Sequence, residues 1–257
     1  MRKNCCVLLM VVAFGLMVFV NYAIAGVSIQ PYRVEGKIPP GKSYEGFFTM
    51  YNTAKKQTKV SITWVDKTLK PLKKDWLVFP RETVKIPGGK SIKLVYKINI
   101  PEGAAGEYNA RVIFEETTSG AMASLAMKYN FPIYIAVAGT EKYDYSIKNI
   151  EIINKDQMNF KITTKNSGNV HIRPAGNIEV VNKTDKSQYT IPFNPTKYGI
   201  IPEEEYVYEC KLQKIKLTDG KYKGKITLEA GEEGSIKKVT ENFEFVVAGQ
   251  TVTVIKK

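Results

Sequence analysis

Two tandem all-β sandwiches are what this sequence predicts, and three observations predict them. Apolar residues recur at every second position in short segments, turns rich in Pro, Gly, Asn and Lys separate those segments, and no stretch carries the period of an amphipathic helix. Seven strands are expected in each half, the count of an immunoglobulin-like sandwich. In the first half they fall at 27–34, 43–52, 58–65, 76–79, 91–100, 107–115 and 124–137. In the second they fall at 145–153, 158–165, 176–181, 188–193, 205–212, 220–229 and 236–247. Ala138-Gly-Thr-Glu141 is the expected joint, giving domains 26–139 and 140–250. The remainder, 251–257, reads as a short basic tail with no further element.

The chain opens with Arg2 and Lys3, an apolar run from Cys5 to Val20, and Ala23-Ile-Ala25. A basic start, an apolar stretch and a small-residue site make a signal peptide over 1–25, cut after Ala25. The run is close to the lower length of a membrane span, so an uncleaved anchor is the alternative. The expected location is periplasmic or otherwise extracytoplasmic, with no stable membrane span after cleavage. Of three cysteines only Cys210 follows the cleavage point, so no intramolecular disulfide is expected. Each domain must then hold together by packing, for which an apolar content of 44% suffices.

The formal charge of +13 is unevenly spread. Residues 26–139 carry 17 basic and 9 acidic side chains, against 19 and 16 in 140–257. Lys55, Lys56, Lys59, Lys67, Lys70, Lys73 and Lys74 supply much of the first excess. On an exported protein such a patch points to anionic partners such as cell-wall polymer, not to nucleic acid. The alternative is that lysines along edge strands keep them from pairing with strangers.

Gly36-Lys-Ile-Pro-Pro-Gly-Lys-Ser43 fits the pattern of a nucleotide-binding phosphate loop. Pro39 and Pro40 delete two of the backbone donors such a loop needs, and the aromatic stretch that follows has strand composition. The phrase nearly recurs at Ile86-Pro-Gly-Gly-Lys-Ser91 and more weakly at Ile201-Pro-Glu-Glu-Glu205, which marks these as turns that launch strands.

In the segment 124–137, Leu125, Met127, Tyr129, Phe131, Ile133, Ile135 and Val137 give one continuously apolar face. Pro132 on the other face has no N–H, which places the strand at an edge. Either another segment of the chain covers that edge, or it is kept open for a partner's strand.

The signal peptide, the first strand Val27-Ser-Ile-Gln-Pro-Tyr-Arg33, the Pro-Gly-Lys-Ser turns and the long alternating strand resemble the PapD-like periplasmic chaperones of fimbrial assembly. The resemblance implies that the last strand of the first domain is lent to an unfinished pilus subunit. Leu125, Met127, Tyr129, Phe131 and Ile133 would then fill its groove. It also implies a basic pair gripping the subunit's terminal carboxylate, with Arg33 in the first-strand position. Pro132 falls where the family's cleft lysine belongs, and Lys128 is the nearest substitute. In the second domain, Asn166-Ser-Gly-Asn-Val-His-Ile-Arg-Pro-Ala-Gly176 is similar to surface proteins of the WxL-interacting type, which bind wall polymer and partner proteins.

Little points to catalysis. His171 is the single histidine, and with one mature cysteine it cannot build a zinc site, although it could pair with an acid as a general base. Glu203-Glu204-Glu205 and Glu232-Glu233 are adjacent carboxylates that diverge. No cofactor, metal or catalytic residue is expected. The expected function is non-enzymatic: an exported chaperone for fimbrial or other surface subunits, acting by strand donation. The alternative is a surface adhesion or wall-polymer-binding protein using its basic first domain.

Overall fold

The structure is a computed structural model, and it describes residues 26–65, 70–73, 75–117, 127–154, 157–197, 199–212 and 217–256. The expected signal peptide therefore lies outside the described residues, as do Leu125, Lys67 and Lys74. The fold is all-β, in two tandem sandwiches. The first contains β1 (Val27–Gln30), β2 (Val34–Ile38), β3 (Ser43–Asn52), β4 (Thr58–Val65), β5 (Leu77–Val78), β6 (Thr83–Ile86), β7 (Ser91–Asn99), β8 (Glu107–Thr117) and β9 (Lys128–Val137). The second contains β10 (Tyr145–Asn154), β11 (Met158–Asn166), β12 (Ala175–Asn182), β13 (Gln188–Phe193), β14 (Glu205–Lys211), β15 (Gly220–Ala230), β16 (Lys237–Ala248) and β17 (Thr251–Lys256).

In the first sandwich a sheet ordered β1-β3-β7-β5 packs on one ordered β2-β9-β8-β4-β6. In the second, β10-β11-β14 packs on β13-β12-β15-β16-β17. The period-two patterning selects the inner faces. Phe48, Phe114 and Phe131 meet with ring centroids 5.1 to 6.3 Å apart in the first core. Phe160, Phe243 and Phe245 do the same in the second, at 5.8 to 6.3 Å. The two cores do not interleave along the chain: one runs from Val27 to Val137, the other from Tyr145 to Val247.

Three features differ from the sequence reading. The single first strand is split at Pro31, which cannot donate to a ladder, so β1 pairs with β3 in one sheet and β2 pairs with β9 in the other. The four-residue β6, confined between Arg81 and Pro87, is too short for its alternation to stand out. The tail is not featureless: Gly249, at a φ of +59°, and Gln250 form a two-residue turn that folds β17 back on β16.

A buried asparagine closes the same corner in both sandwiches. Asn52 donates to the carbonyls of Lys56 and Ile86 and accepts from the N–H of Ala54. Asn166 donates to the carbonyls of Val170 and Ile200 and accepts from the N–H of Gly168. The offsets of 4, 34 and 2 residues are identical, and both side chains are 0% exposed.

Candidate functional site

The site is the outer face and open flank of the β2-β9-β8 ribbon. On β9 the odd residues Phe131, Ile133, Ile135 and Val137 enter the core, so Lys128, Asn130, Pro132, Tyr134 and Ala136 share the opposite face. On β8 the core takes Ala110, Val112 and Phe114, which turns Glu107, Asn109, Arg111, Ile113 and Glu115 outward. The register sets Arg111 opposite Pro132, Asn109 opposite Tyr134 and Glu107 opposite Ala136. On the other side Glu35 lies beside Tyr134 and Lys37 beside Ala136. Arg33, just before β2, falls level with Pro132. Two guanidiniums therefore flank a proline, on backbones two strand spacings, roughly 10 Å, apart.

The backbone of β9 is satisfied on one side and half satisfied on the other. Val137 N–H donates to Gly106 and Glu116 N–H donates to the carbonyl of Met127, so the odd residues spend their polar groups on β8. Ala138 N–H donates to Ile38, so the even residues face β2. Pairing with β2 covers only Ile133–Val137. From Lys128 to Pro132 no strand among the described residues adjoins that flank. It presents the N–H and C=O of Lys128 and Asn130, and Pro132, which has no N–H to offer, ends the open stretch where pairing with β2 begins.

The side chains suggested by the sequence separate into groups. Met127 is 36% exposed, and Tyr129 is half-buried with its hydroxyl 3.7 Å from the Met127 sulfur. Burial, and then the nearby Glu116 carboxylate, push the Tyr129 phenol up. Phe131 is 8% exposed, and Ile133 is fully enclosed in its own sandwich. Arg33 is exposed, with Nε 2.7 Å from Glu35 and Nη1 donating to the carbonyl of Lys197. Lys128 pairs with Glu115 at 3.3 Å and lies four residues from Pro132, roughly 13 Å along the strand. The structure therefore does not bring Lys128 next to Arg33; Arg111 is the basic group that shares Arg33's level.

Below Pro132 the face meets the second domain. His171 Nδ1 lies 2.5 Å from Glu107 Oε2, and Glu107 Oε1 accepts the backbone N–H of His171. Arg173 donates to His171 Nε2 at 2.8 Å, which assigns the proton to Nδ1. Arg173 also grips Glu35 through both terminal nitrogens. The imidazole is wedged between the Tyr134 ring, with centroids 4.4 Å apart, and Gly199. A Cβ on Gly199 would stand 2.3 Å from the histidine ring. With both ring nitrogens held by protein groups, His171 has none left for a substrate proton. Beside this cluster, Arg111, Pro132, Tyr134, Lys197 and Tyr206 line a cleft cavity of about 500 Å³.

Other sequence candidates are drawn into local packing. Lys70 and Lys73 lie over the rings of Tyr108 and Trp76, at 4.4 and 5.4 Å. Glu203 pairs with Lys165 and Glu232 with Lys37. Burial pushes the Cys210 thiol up to about 11 and leaves it unreactive. No group of three or more metal-ligating side chains is found among the described residues, and no helix there is long and apolar enough to cross a membrane.

No family model matches the chain, and no curated protein matches it. Several solved structures are similar. The YadV chaperone gives a TM-score of 0.47 at 10% identity, over 85% of this chain and 98% of that one. The Pseudomonas aeruginosa CupB2 chaperone gives 0.43 at 9%, over 84% and 98%. The E. coli chaperone DraB gives 0.44 at 11%, over 84% and 98%. These likenesses are distant.

Proposed function

We propose that this chain is an exported, non-enzymatic chaperone for fimbrial or other surface subunits, holding an unfinished client by strand pairing along the open flank of β9. The observation that carries the reading is the half-covered β9. Its Lys128–Asn130 stretch has no strand beside it among the described residues on one side, while β8 braces the other. A client strand laid there gains main-chain hydrogen bonds, and alternate side chains supply specificity. Met127 and Tyr129 are the anchors that remain accessible, continuing the apolar alternation beyond the core. Ile133 is left to the chaperone's own core, and Phe131 is shared with it.

Arg33 and Arg111 are proposed to grip the client's terminal carboxylate, in place of an Arg33 and Lys128 pair. A guanidinium binds a carboxylate through two parallel charge-assisted hydrogen bonds. Arg33 is already engaged by Glu35, so a client carboxylate would compete with that contact. No observation favours wall polymer as the partner, since Lys70 and Lys73 are engaged by rings of their own domain.

The test is recovery of client from the exported fraction with Met127→Asp/Tyr129→Asp, where both side chains reach solvent. The expected result is loss of at least about 90% of client, equivalent to more than ~1.4 kcal/mol, with the unfolding transition of the first domain retained. Unchanged recovery from a folded variant would overturn the reading. Phe131→Asp is not a suitable probe, because it introduces a charge into the core.

A further inference from the structure

Glu116 is the buried acid that the proposed site leaves unexplained. It is 2% exposed at the end of β8, its Oε2 accepts one hydrogen bond, from Val27 N–H at 3.2 Å, and its Oε1 has no partner. No cation pairs with it among the described residues. A carboxylate in that position is expensive unless a counter-ion reaches it.

We infer that the counter-ion is the α-ammonium of Gly26, created when the signal peptide is removed. In the precursor, the Gly26 nitrogen is an uncharged amide with one hydrogen, donated to Thr53 Oγ1 at 2.8 Å. Hydrolysis of the Ala25–Gly26 bond adds one water, leaving a carboxylate on Ala25 and an ammonium with three N–H donors on Gly26. The Gly26 carbonyl is clamped by the Thr53 N–H and hydroxyl, at 2.9 and 2.6 Å, and stays in place. Rotation by about 120° about the Gly26 Cα–C bond exchanges the substituents of the tetrahedral Cα. It carries the freed nitrogen to the point a side-chain carbon would occupy. That point lies 3.7 Å from Glu116 Oε2, 3.7 Å from the Tyr129 hydroxyl and 3.7 Å from the Met127 sulfur. Only a chain that starts at Gly26 can make this rotation, since in the precursor the same nitrogen carries residue 25.

The pairing ties maturation to the fold. The ammonium fastens the start of β1 to the end of β8, beside the accessible side chains of Met127 and Tyr129. The inference stands independently of what β9 binds.

The test uses the full mature chain. Its first residue is determined chemically, and its folding equilibrium constant is compared with that of the same chain acetylated at the α-nitrogen, in the native sequence and in Glu116→Gln. Acetylation is expected to lower the constant about tenfold in the native sequence, the scale of a charge-assisted hydrogen bond. In Glu116→Gln it should change it by under about twofold. Equal losses in both backgrounds, no loss in either, or a first residue other than Gly26 would overturn the inference. If Glu116→Gln does not fold, the ¹⁵N resonance of the native Gly26 ammonium decides. It should be visible at neutral pH through protection from exchange, and its absence would count against the pairing.

Discussion

Asn52 and Asn166 occupy equivalent corners, and each side chain does what a short stretch of backbone would otherwise do. Each amide satisfies two carbonyls and one N–H nearby, and around Asn166 all three of these bonds are buried. Replacing Asn166 with alanine keeps these groups buried and orphans the Val170 carbonyl and the Gly168 N–H, each worth about 1 kcal/mol or more, while the Ile200 carbonyl keeps the N–H of Ile172. Asn166→Ala is therefore expected to destabilise the second sandwich by roughly 2 kcal/mol, read as a shift in its denaturant midpoint at unchanged slope. Part of this was legible. The Ile-Pro phrases marked turns that launch strands, and Ile86 of one such turn and Ile200, just before another, prove to be carbonyl partners of the two asparagines. The asparagines themselves were not legible, because a partner 34 residues away leaves no local pattern.

At the scale of the element, β9 is a strand with two different flanks. Its apolar alternation and the edge-marking proline could be read directly, since side-chain period and the missing N–H are local properties. Which residues keep a free flank depends on where β2 begins, and that follows from the break at Pro31 that sends β2 into the other sheet. Arg111 escaped notice for a similar reason: nothing in β8 alone says which residue stands opposite Pro132. The flank assignment yields a paired prediction. Asn130 points its N–H away from β8, as Pro132 would if it had one. Asn130→Pro should then leave the first domain within about 1 kcal/mol of its native stability while abolishing client capture. Tyr129→Pro removes a donor to β8 and should cost about 3 kcal/mol or more. Calorimetry of the two variants beside a capture assay checks both halves, and equal stability losses would mean that the flanks are assigned wrongly.

Across the whole molecule, charged groups couple the two sandwiches. Glu107 of β8 holds His171, Glu35 of β2 holds Arg173, and Lys37 reaches Glu141 at 2.8 Å and Glu232 at 2.6 Å. Because Glu35 also holds Arg33, the proposed carboxylate grip and the domain contact share one acid.

The Lys37 contacts give this coupling a pH window. Burial works against the charge on Glu141, but the hydrogen bond from Lys37, backbone hydrogen bonds and the Lys37 charge together outweigh it and hold the carboxyl below its usual 4.5. Hydrogen bonds to Glu141 and Glu232 hold the Lys37 ammonium above its usual 10.5. A depressed acid contributes fully above its unfolded value and loses that contribution as pH falls through the folded one; a raised base contributes fully below its unfolded value and loses it as pH rises. The stabilisation should thus be level between 4.5 and 10.5 and fade on either side. Lys37 is 38% exposed, so solvent screening keeps the effect under about 1 kcal/mol. Lys37→Met should lower stability by a constant amount across that window, and the gap to the native protein should close progressively below pH 4.5. Denaturant titrations of the two proteins at a series of pH values measure the gap. A difference that persisted at pH 2 would assign the contribution of Lys37 to packing of its aliphatic stem instead of its charge.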